Sequence, residues 1–192
     1  MQRALHEARR AGLADDTLIA VEHPGVFTLG RSSSFSHILW DEATLKARGV
    51  EVVETDRGGD VAFHGPGQVV VYPVIDLAAR HLGVAAYVDL LEDAMIAVLR
   101  GYGLEGVRDE RGRGVWVGAA KIGFVGIRVS RHVTMHGIAL NVSPDLSLFE
   151  GIIPCGLTGC AITSMEKELG RPVDFGEVRD RLLDALSAAL GD

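Results

Sequence analysis

The sequence predicts an α+β fold in which a mixed or largely antiparallel sheet sandwich is flanked by helices. The prediction comes from short apolar runs separated by glycine- and proline-containing turns, which are typical of strands, and from one long segment with helical spacing of its apolar residues. A chain of 192 residues is long enough to bury a sizeable core in one domain. We therefore expect a single domain over residues 1–192.

The first part of the chain contains one helix signal and two strand signals. Residues 2–11 are predicted to form a short helix, and its inward face would carry small and apolar residues: Ala4, Leu5 and Ala8. Residues 18–21 and 26–31 are predicted strands, and residues 22–25 between them contain a Pro-Gly turn signal. This arrangement favours a β-hairpin.

A glycine-rich stretch, residues 57–68, lies between two further predicted strands. Residues 50–54 lead into it and residues 69–75 leave it, and a helix that starts at Asp41 and ends near Gly49 precedes them. Four glycines and a proline within twelve positions argue against regular helix or strand there.

The second half contains the strongest helix signal of the chain. Apolar residues recur three or four positions apart on one predicted face: Val84, Tyr87, Leu91, Met95, Val98 and Leu99. The remaining predicted elements are three strands and two helices: residues 114–118, 121–129, 132–141, 163–169 and 175–190. Residues 142–162 are predicted to be irregular, and Asp174 with Glu177 is typical of a capping box.

Charge and cysteine usage narrow the class of protein. The formal net charge of −7 argues against a broad nucleic-acid surface, so an acidic partner would have to meet a local basic patch around Arg57, Arg128 or Arg131. The two cysteines are too few and too close together in sequence for disulfide bonds to stabilise a chain of this length. This favours free thiols in a reducing compartment. Without an apolar signal-peptide core or a membrane-span pattern, we expect a cytoplasmic protein that does not bind membranes.

The glycine-rich stretch also carries polar residues. It presents Arg57, Asp60, His64 and Gln68 on backbone that a ligand can approach closely. A simple connection between two strands can also be rich in glycine. This pattern alone therefore does not decide between a binding loop and a simple connection. It is not a dinucleotide fingerprint, because these glycines lead into a strand rather than opening a helix.

Two thiols and one lysine are the candidate reactive groups. Cys155 lies between Pro154 and Gly156, where open backbone suits a nucleophile, and Cys160 precedes a predicted helix whose dipole would favour its thiolate. The residues alone do not separate the two cysteines. Lys121 lies in a mostly apolar segment, where a nearby ammonium would favour a thiolate. A zinc site built from both cysteines with His132 and His136 is disfavoured, because two strand residues at that spacing lie roughly 13 Å apart.

The chain resembles one family along nearly its whole length. Residues 57–68, which begin Arg57-Gly58-Gly59 and end His64-Gly65-Pro66-Gly67-Gln68, resemble together with Tyr72 the signature of the lipoyl(octanoyl) transferases, or lipoate-protein ligase B. The resemblance implies the fold shared by lipoate- and biotin-protein ligases. Members often carry extra residues before the first helix, so we expect this chain to start later than they do.

The resemblance also implies the site residues. Pro154-Cys155-Gly156 is similar to the nucleophile motif, and Ala120-Lys121-Ile122-Gly123 is similar to the segment that carries its lysine partner, so Cys155 and Lys121 are the implied catalytic pair. The implied substrate-binding residues come from three segments: Arg57, Gly58, Gly59, Asp60, Val61, Ala62, Phe63 and His64; Phe124, Val125 and Gly126; and Gly137, Ile138 and Ala139. No metal is implied.

The implied activity is transfer of an octanoyl group from octanoyl-acyl carrier protein to the target lysine of apo-lipoyl domains, through an acyl thioester on cysteine. The expected acceptors are the lipoyl domains of 2-oxoacid dehydrogenase complexes and the glycine cleavage H protein. No cofactor is expected beyond the phosphopantetheine that the carrier brings. An ATP-dependent lipoate ligase on the same fold and a non-catalytic acyl-carrier-binding module remain the alternatives; the chain has no phosphate loop followed by Lys-Ser/Thr.

Overall fold

The computed structural model describes residues 1–154 and 159–191. Within these ranges the α-helices are α1 (Gln2–Arg10), α2 (Glu42–Ala47), α3 (Val84–Gly101), α4 (Met165–Leu169) and α5 (Phe175–Leu190). The strands are β1 (Thr17–Val21), β2 (Val26–Leu29), β3 (Glu51–Glu54), β4 (Ala62–His64), β5 (Gln68–Val74), β6 (Gly106–Asp109), β7 (Gly112–Val117), β8 (Ala120–Ser130), β9 (Val133–Asn141) and β10 (Ala161–Ile162). Short 3₁₀ helices span Phe35–His37 and Leu146–Gly151.

The described strands form a large sheet and a small one. The large sheet has the order β1-β5-β9-β8-β7-β6, with antiparallel neighbours throughout, and β10 pairs parallel with β8. The small sheet has the order β3-β2-β4, in which β2 and β3 are parallel. A mixed, largely antiparallel architecture was predicted, and the structure confirms it.

The predicted hairpin of β1 and β2 is wrong, because these strands belong to different sheets. Val21 at the end of β1 pairs with Val70 of β5, whereas Val26 at the start of β2 pairs with Glu51 and His64 of the small sheet. The chain leaves the large sheet after Val21, and Pro24 in the connection has no N–H with which to resume a ladder.

The two faces of the large sheet pack against different partners. Val69 and Val71 face a core with α3 and α5, to which Leu91 and Leu182 belong. Val70 points the opposite way, into a second core that includes Phe27, Phe63, Phe124 and Phe149. This alternation follows from the two-residue period of a strand. The large sheet therefore lies between a helical layer and the small sheet.

Some local predictions need correction. The side chain that α1 buries is His6, whose Nε2 lies 3.3 Å from the carbonyl oxygen of Val133, while Ala4 is exposed. Val84 is half exposed, because it occupies the first turn of α3. The strands β4, β6 and β10 were not predicted, and each is short. β4 and β10 pair with strands that are distant in sequence, whereas β6 pairs with its neighbour β7.

The helix-cap predictions are confirmed where hydrogen bonds show them. The side chain of Asp41 accepts a hydrogen bond from the Thr44 N–H at the start of α2, and that of Asp174 accepts one from the Glu177 N–H at the start of α5. Among the described residues, no helix combines the length and the apolar character needed to cross a bilayer.

Candidate active site

A cavity of about 560 Å³ lies between the two sheets. Its volume is within the range of roughly 300–1,000 Å³ that is usual for small-molecule sites. Of the predicted site residues, these line it: Arg57, Gly59, Asp60, Val61, Ala62, His64, Lys121, Phe124, Val125, Gly126, Gly137, Ile138 and Ala139. The structure thus brings three separate segments and the predicted lysine to one mostly apolar space.

Gly58 and Phe63 are the described site candidates that do not line this cavity. The N–H of Gly58 donates to the carbonyl oxygen of Ile127, which ties the loop to β8. Phe63 alternates with the cavity-lining residues of β4, so its ring points into the core, 5.0 Å from the ring of Phe149. Both residues support the wall rather than forming it.

Arg57 and Asp60 hold the glycine-rich stretch in place. The buried guanidinium of Arg57 donates to the carbonyl and hydroxyl oxygens of Thr28 on β2, at 2.6 and 2.8 Å, and to the carbonyl of Gly58. Asp60 accepts from the backbone N–H of Val61 and lies 2.5 Å from the Nδ1 of His37. These charged groups fix a backbone that glycine would otherwise leave free.

The proton position on His64 follows from its neighbour Gln68. The amide nitrogen of Gln68 donates to Asn141 Oδ1 at 2.9 Å and to the carbonyl of Phe63, so its Oε1 must accept. That oxygen lies 2.6 Å from His64 Nδ1, which therefore carries the proton. Burial lowers the pKa of His64 to about 4, so the ring is neutral near pH 7 and presents Nε2 as an acceptor at the cavity.

A buried polar chain links this loop to the strand that carries Lys121. Asn141 receives from Gln68 and donates through Nδ2 to the carbonyl of Thr163, at 2.9 Å. The N–H of Thr163 donates in turn to the carbonyl of Lys121, at 3.0 Å. Gln68, Asn141 and Thr163 are fully buried, so the chain fixes the relative positions of both sides of the cavity.

Lys121 is a buried cation, with 1% of its surface exposed. Its Nζ donates to the carbonyl of Arg113 at 2.6 Å and lies 5.3 and 5.4 Å from the ring centroids of Trp116 and Phe124. A carbonyl dipole and two aromatic faces stabilise an ammonium that has left water. Lys121 is therefore not a solvated surface lysine.

Gly137 is required by the packing of the sheet. A Cβ atom at this position would lie 2.1 Å from the carbonyl oxygen of Val71 and 2.7 Å from Cδ of Pro73. Only glycine allows β5 and β9 to approach so closely on the floor of the cavity.

Sequence reasoning missed a cluster of aromatic and imidazole groups along the cavity. His23 Nε2 lies 2.7 Å from the hydroxyl of Tyr72, and His136 Nε2 lies 2.7 Å from Asp56 Oδ1. Burial lowers the pKa of both histidines and raises that of Tyr72 to about 12. A local signal existed only for Tyr72, which follows the glycine-rich stretch. His23 lies in the connection between β1 and β2, and His136 lies on β9, so both reach the cavity only through the tertiary fold.

Of the two cysteines, only Cys160 lies within the residues that the structure describes. Cys155 lies outside the described residues. Cys160 is half-buried, and its Sγ lies 3.6 Å from the carbonyl of Ala161. The predicted position of Cys160 at a helix start is wrong, because β10 follows it and α4 begins only at Met165. Ile162 of β10 pairs with Lys121, so Cys160 lies two residues before the partner of the lysine.

Zinc ligation is not supported by the predicted histidines. His132 is exposed at the tip of the β8–β9 hairpin, whereas His136 is engaged with Asp56. Within residues 1–154 and 159–191, no group of three or more His, Cys, Asp or Glu side chains is arranged to hold a metal ion.

The site combines an apolar slot, a buried ammonium and a neutral imidazole acceptor. The slot can hold an aliphatic chain, the ammonium can stabilise an anionic sulfur or oxygen, and the imidazole can accept a hydrogen bond from an amine or amide. These are the requirements for moving an acyl group between a thiol and an amine.

Comparison with known proteins gives a family for this arrangement. The chain is 48% identical to an octanoyltransferase of Chloroflexus aggregans, covering 98% of this chain and 86% of the relative. It is 45% identical to one of Bacteroides fragilis, covering 97% and 87%. A bi-partite lipoate protein ligase of Thermoplasma acidophilum superposes with a TM-score of 0.78 at 18% identity, covering 98% of this chain and 77% of that one. A biotin protein ligase of Aquifex aeolicus gives 0.53 at 15% identity, covering 85% and 68%.

The structural likenesses confirm the lipoate- and biotin-ligase fold that the sequence resemblance implied. The family model described as the lipoyl protein ligase A/B catalytic domain matches residues 1–187. This chain belongs to the lipoyl protein ligase A/B catalytic-domain family.

Proposed function

We propose that this protein is a cytoplasmic octanoyltransferase of protein lipoylation, which moves an octanoyl group from acyl carrier protein to a lysine of an apo-lipoyl domain. Relatives that share 45–48% of its residues over most of the chain are octanoyltransferases. The observation on the molecule that carries the proposal is the buried ammonium of Lys121 in the wall of an apolar cavity.

The first step is capture of the acyl group on Cys155. The Lys121 ammonium favours the thiolate of Cys155, and this thiolate attacks the carbonyl carbon of the octanoyl thioester. A C–S bond forms to Cys155 while the bond to the phosphopantetheine sulfur breaks. The carrier leaves with a free thiol, which takes up one proton.

The second step transfers the acyl group to nitrogen. The ε-amine of the target lysine attacks the octanoyl-cysteine thioester, forms an amide bond and releases the thiol of Cys155. The amine loses one proton, which ends on the departing sulfur of Cys155, and the neutral Nε2 of His64, which lines the cavity, can accept a hydrogen bond from the amine during the attack. No nucleotide is consumed, since a thioester is already activated enough to make an amide.

Recognition needs more than the aliphatic chain. Burying roughly six methylenes at about 0.8 kcal/mol each stabilises the complex by about 5 kcal/mol at most. Taken alone, this corresponds to an affinity weaker than about 0.1 mM before ordering costs. Contacts to the carrier, its phosphopantetheine and the acceptor domain must supply the rest. The acceptors we propose are the lipoyl domains of 2-oxoacid dehydrogenase complexes and the glycine cleavage H protein.

Intact-mass analysis of two cysteine variants tests the nucleophile. After mixing with octanoyl-acyl carrier protein, we expect Cys160→Ser to gain one octanoyl group and Cys155→Ser to gain none. The two variants are matched, since each removes one sulfur and leaves the other thiol available.

A thioester adduct on Cys155→Ser that is lost in Cys160→Ser would reverse the assignment. An adduct on neither variant, with full transfer by both, would exclude an acyl-enzyme. Formation of lipoyl-adenylate from lipoate and ATP would favour the ligase alternative.

A further inference from the structure

We propose that Glu92 is a positioning residue for Lys121, and that it acts through the peptide bond between Arg113 and Gly114. The inference rests on the proposed function, because it assigns a role to a group that supports the lysine of that site. Glu92 belongs to α3, on the opposite side of the large sheet from the small sheet, and it does not line the cavity.

The Arg113–Gly114 peptide unit is held from both ends. Its carbonyl oxygen accepts a hydrogen bond from Lys121 Nζ at 2.6 Å, and its N–H donates to Glu92 Oε1 at 2.7 Å. Because one rigid plane carries both groups, the carboxylate of Glu92 fixes the direction in which the carbonyl faces the ammonium. It also polarises the peptide, which strengthens the acceptor.

The lysine packs directly against this peptide. A Cβ atom on Gly114, which has a φ of +126°, would lie 2.7 Å from Cε of Lys121 and 2.3 Å from the carbonyl oxygen of Gly123. A shift of the Arg113–Gly114 peptide towards Lys121 would therefore collide with the lysine side chain.

Glu92 is an unusual residue for its place. It is 1% exposed on a helix face whose neighbours, Leu91 and Met95, belong to the apolar core. A buried carboxylate requires partners, and Oε2 has two: Arg108 Nε at 2.9 Å and Arg113 Nη1 at 3.2 Å. Both arginines also pair with exposed carboxylates, Arg108 with Asp93 and Arg113 with Asp89.

Conservative variants separate positioning from charge. Glu92→Gln keeps an oxygen for the Gly114 N–H and loses the charge. Glu92→Asp keeps the charge and withdraws the oxygen by one methylene. Asp89→Asn is the matched control, since it removes a carboxylate from Arg113 without touching the Arg113–Gly114 peptide.

Two readouts report on Lys121 in the folded 192-residue protein. The sequence contains three lysines, so protein labelled with ¹³C at lysine Cε gives three assignable signals. The second readout is the steady-state rate of octanoyl transfer, resolved into kcat and KM.

We expect Glu92→Asp to displace the Lys121 signal and to lower kcat about tenfold to 100-fold, with little change in KM, because small misplacements of a reacting group have effects of this size. Glu92→Gln should lose less than Glu92→Asp in both readouts, because it keeps an oxygen for the Gly114 N–H although it loses the charge that faces Arg108 and Arg113. Asp89→Asn should resemble the parent in both readouts. A loss in Glu92→Gln equal to or greater than that in Glu92→Asp would overturn the inference in favour of a charge effect. An undisplaced Lys121 signal in Glu92→Asp would also overturn it.

If Cys155→Ser keeps full transfer activity, the proposed mechanism fails instead, and the displacement of the Lys121 signal still decides the role of Glu92.

Discussion

Replacing Lys121 with methionine is expected to lower kcat for octanoyl transfer about 10²- to 10⁴-fold, the usual contribution of a positioned proton-transfer group. Methionine has a similar length and fills the space between Trp116 and Phe124, but it cannot donate to the Arg113 carbonyl or favour a thiolate. Steady-state transfer kinetics measure the loss.

The same variant separates catalysis from folding. Exchanging a buried charge for an apolar group of similar shape is often neutral or stabilising, so thermal unfolding of Lys121→Met should resemble that of the parent. Lys167→Met is the matched control, because Lys167 is exposed on α4. Full activity in Lys121→Met would remove the lysine from the mechanism.

Acid is expected to destabilise the protein through His64. Burial lowers the pKa of His64 to about 4, below the usual value of 6.5, so the unfolded chain binds a proton that the folded ring refuses. The stabilising contribution is fully present above pH 6.5 and is lost as the pH falls towards 4. Between pH 7 and pH 5 the unfolding free energy falls by about 2 kcal/mol. The loss begins near pH 6.5, so it covers about 1.5 pH units at about 1.36 kcal/mol each.

A histidine-to-asparagine pair tests this pH dependence by chemical denaturation at pH 7 and pH 5. In His64→Asn the amide can still donate to Gln68, but it does not titrate, so the loss between the two pH values should shrink by about 2 kcal/mol. His132→Asn is the control: His132 is exposed with a φ of 69°, a conformation that asparagine tolerates. An unchanged acid dependence in His64→Asn would contradict the assignment of a buried neutral ring.

Elements whose own residue spacing encodes them could be predicted from the sequence. The helix α3 was predicted because apolar residues of its inner face, such as Leu91 and Met95, recur at helical spacing. The hairpin error and the missed β4 have one cause. Phe63 becomes a strand residue by pairing with Phe27 and packing against Phe149, and no spacing within residues 57–68 encodes those partners.

The site was predictable only as a set of segments. The resemblance pointed to Lys121 and to three lining segments, and the structure brings these to one cavity. The burial of Lys121 and the proton position on His64 depend on Arg113 and Gln68 in three dimensions, so sequence alone could not supply them. The sequence does contain a signal for Glu92, since this carboxylate directly follows Leu91 of the predicted apolar face. The sequence analysis did not identify it as a site residue.

Transfer in the absence of nucleotide tests the central claim most directly. The purified protein is mixed with octanoyl-acyl carrier protein and an apo-lipoyl domain, without ATP. The mass of the lipoyl domain is then measured by intact-mass spectrometry. We expect the lipoyl domain to gain one octanoyl group on its target lysine. No gain with the carrier thioester, together with modification by free octanoate or lipoate plus ATP, would contradict an acyl transferase that draws its energy from the thioester.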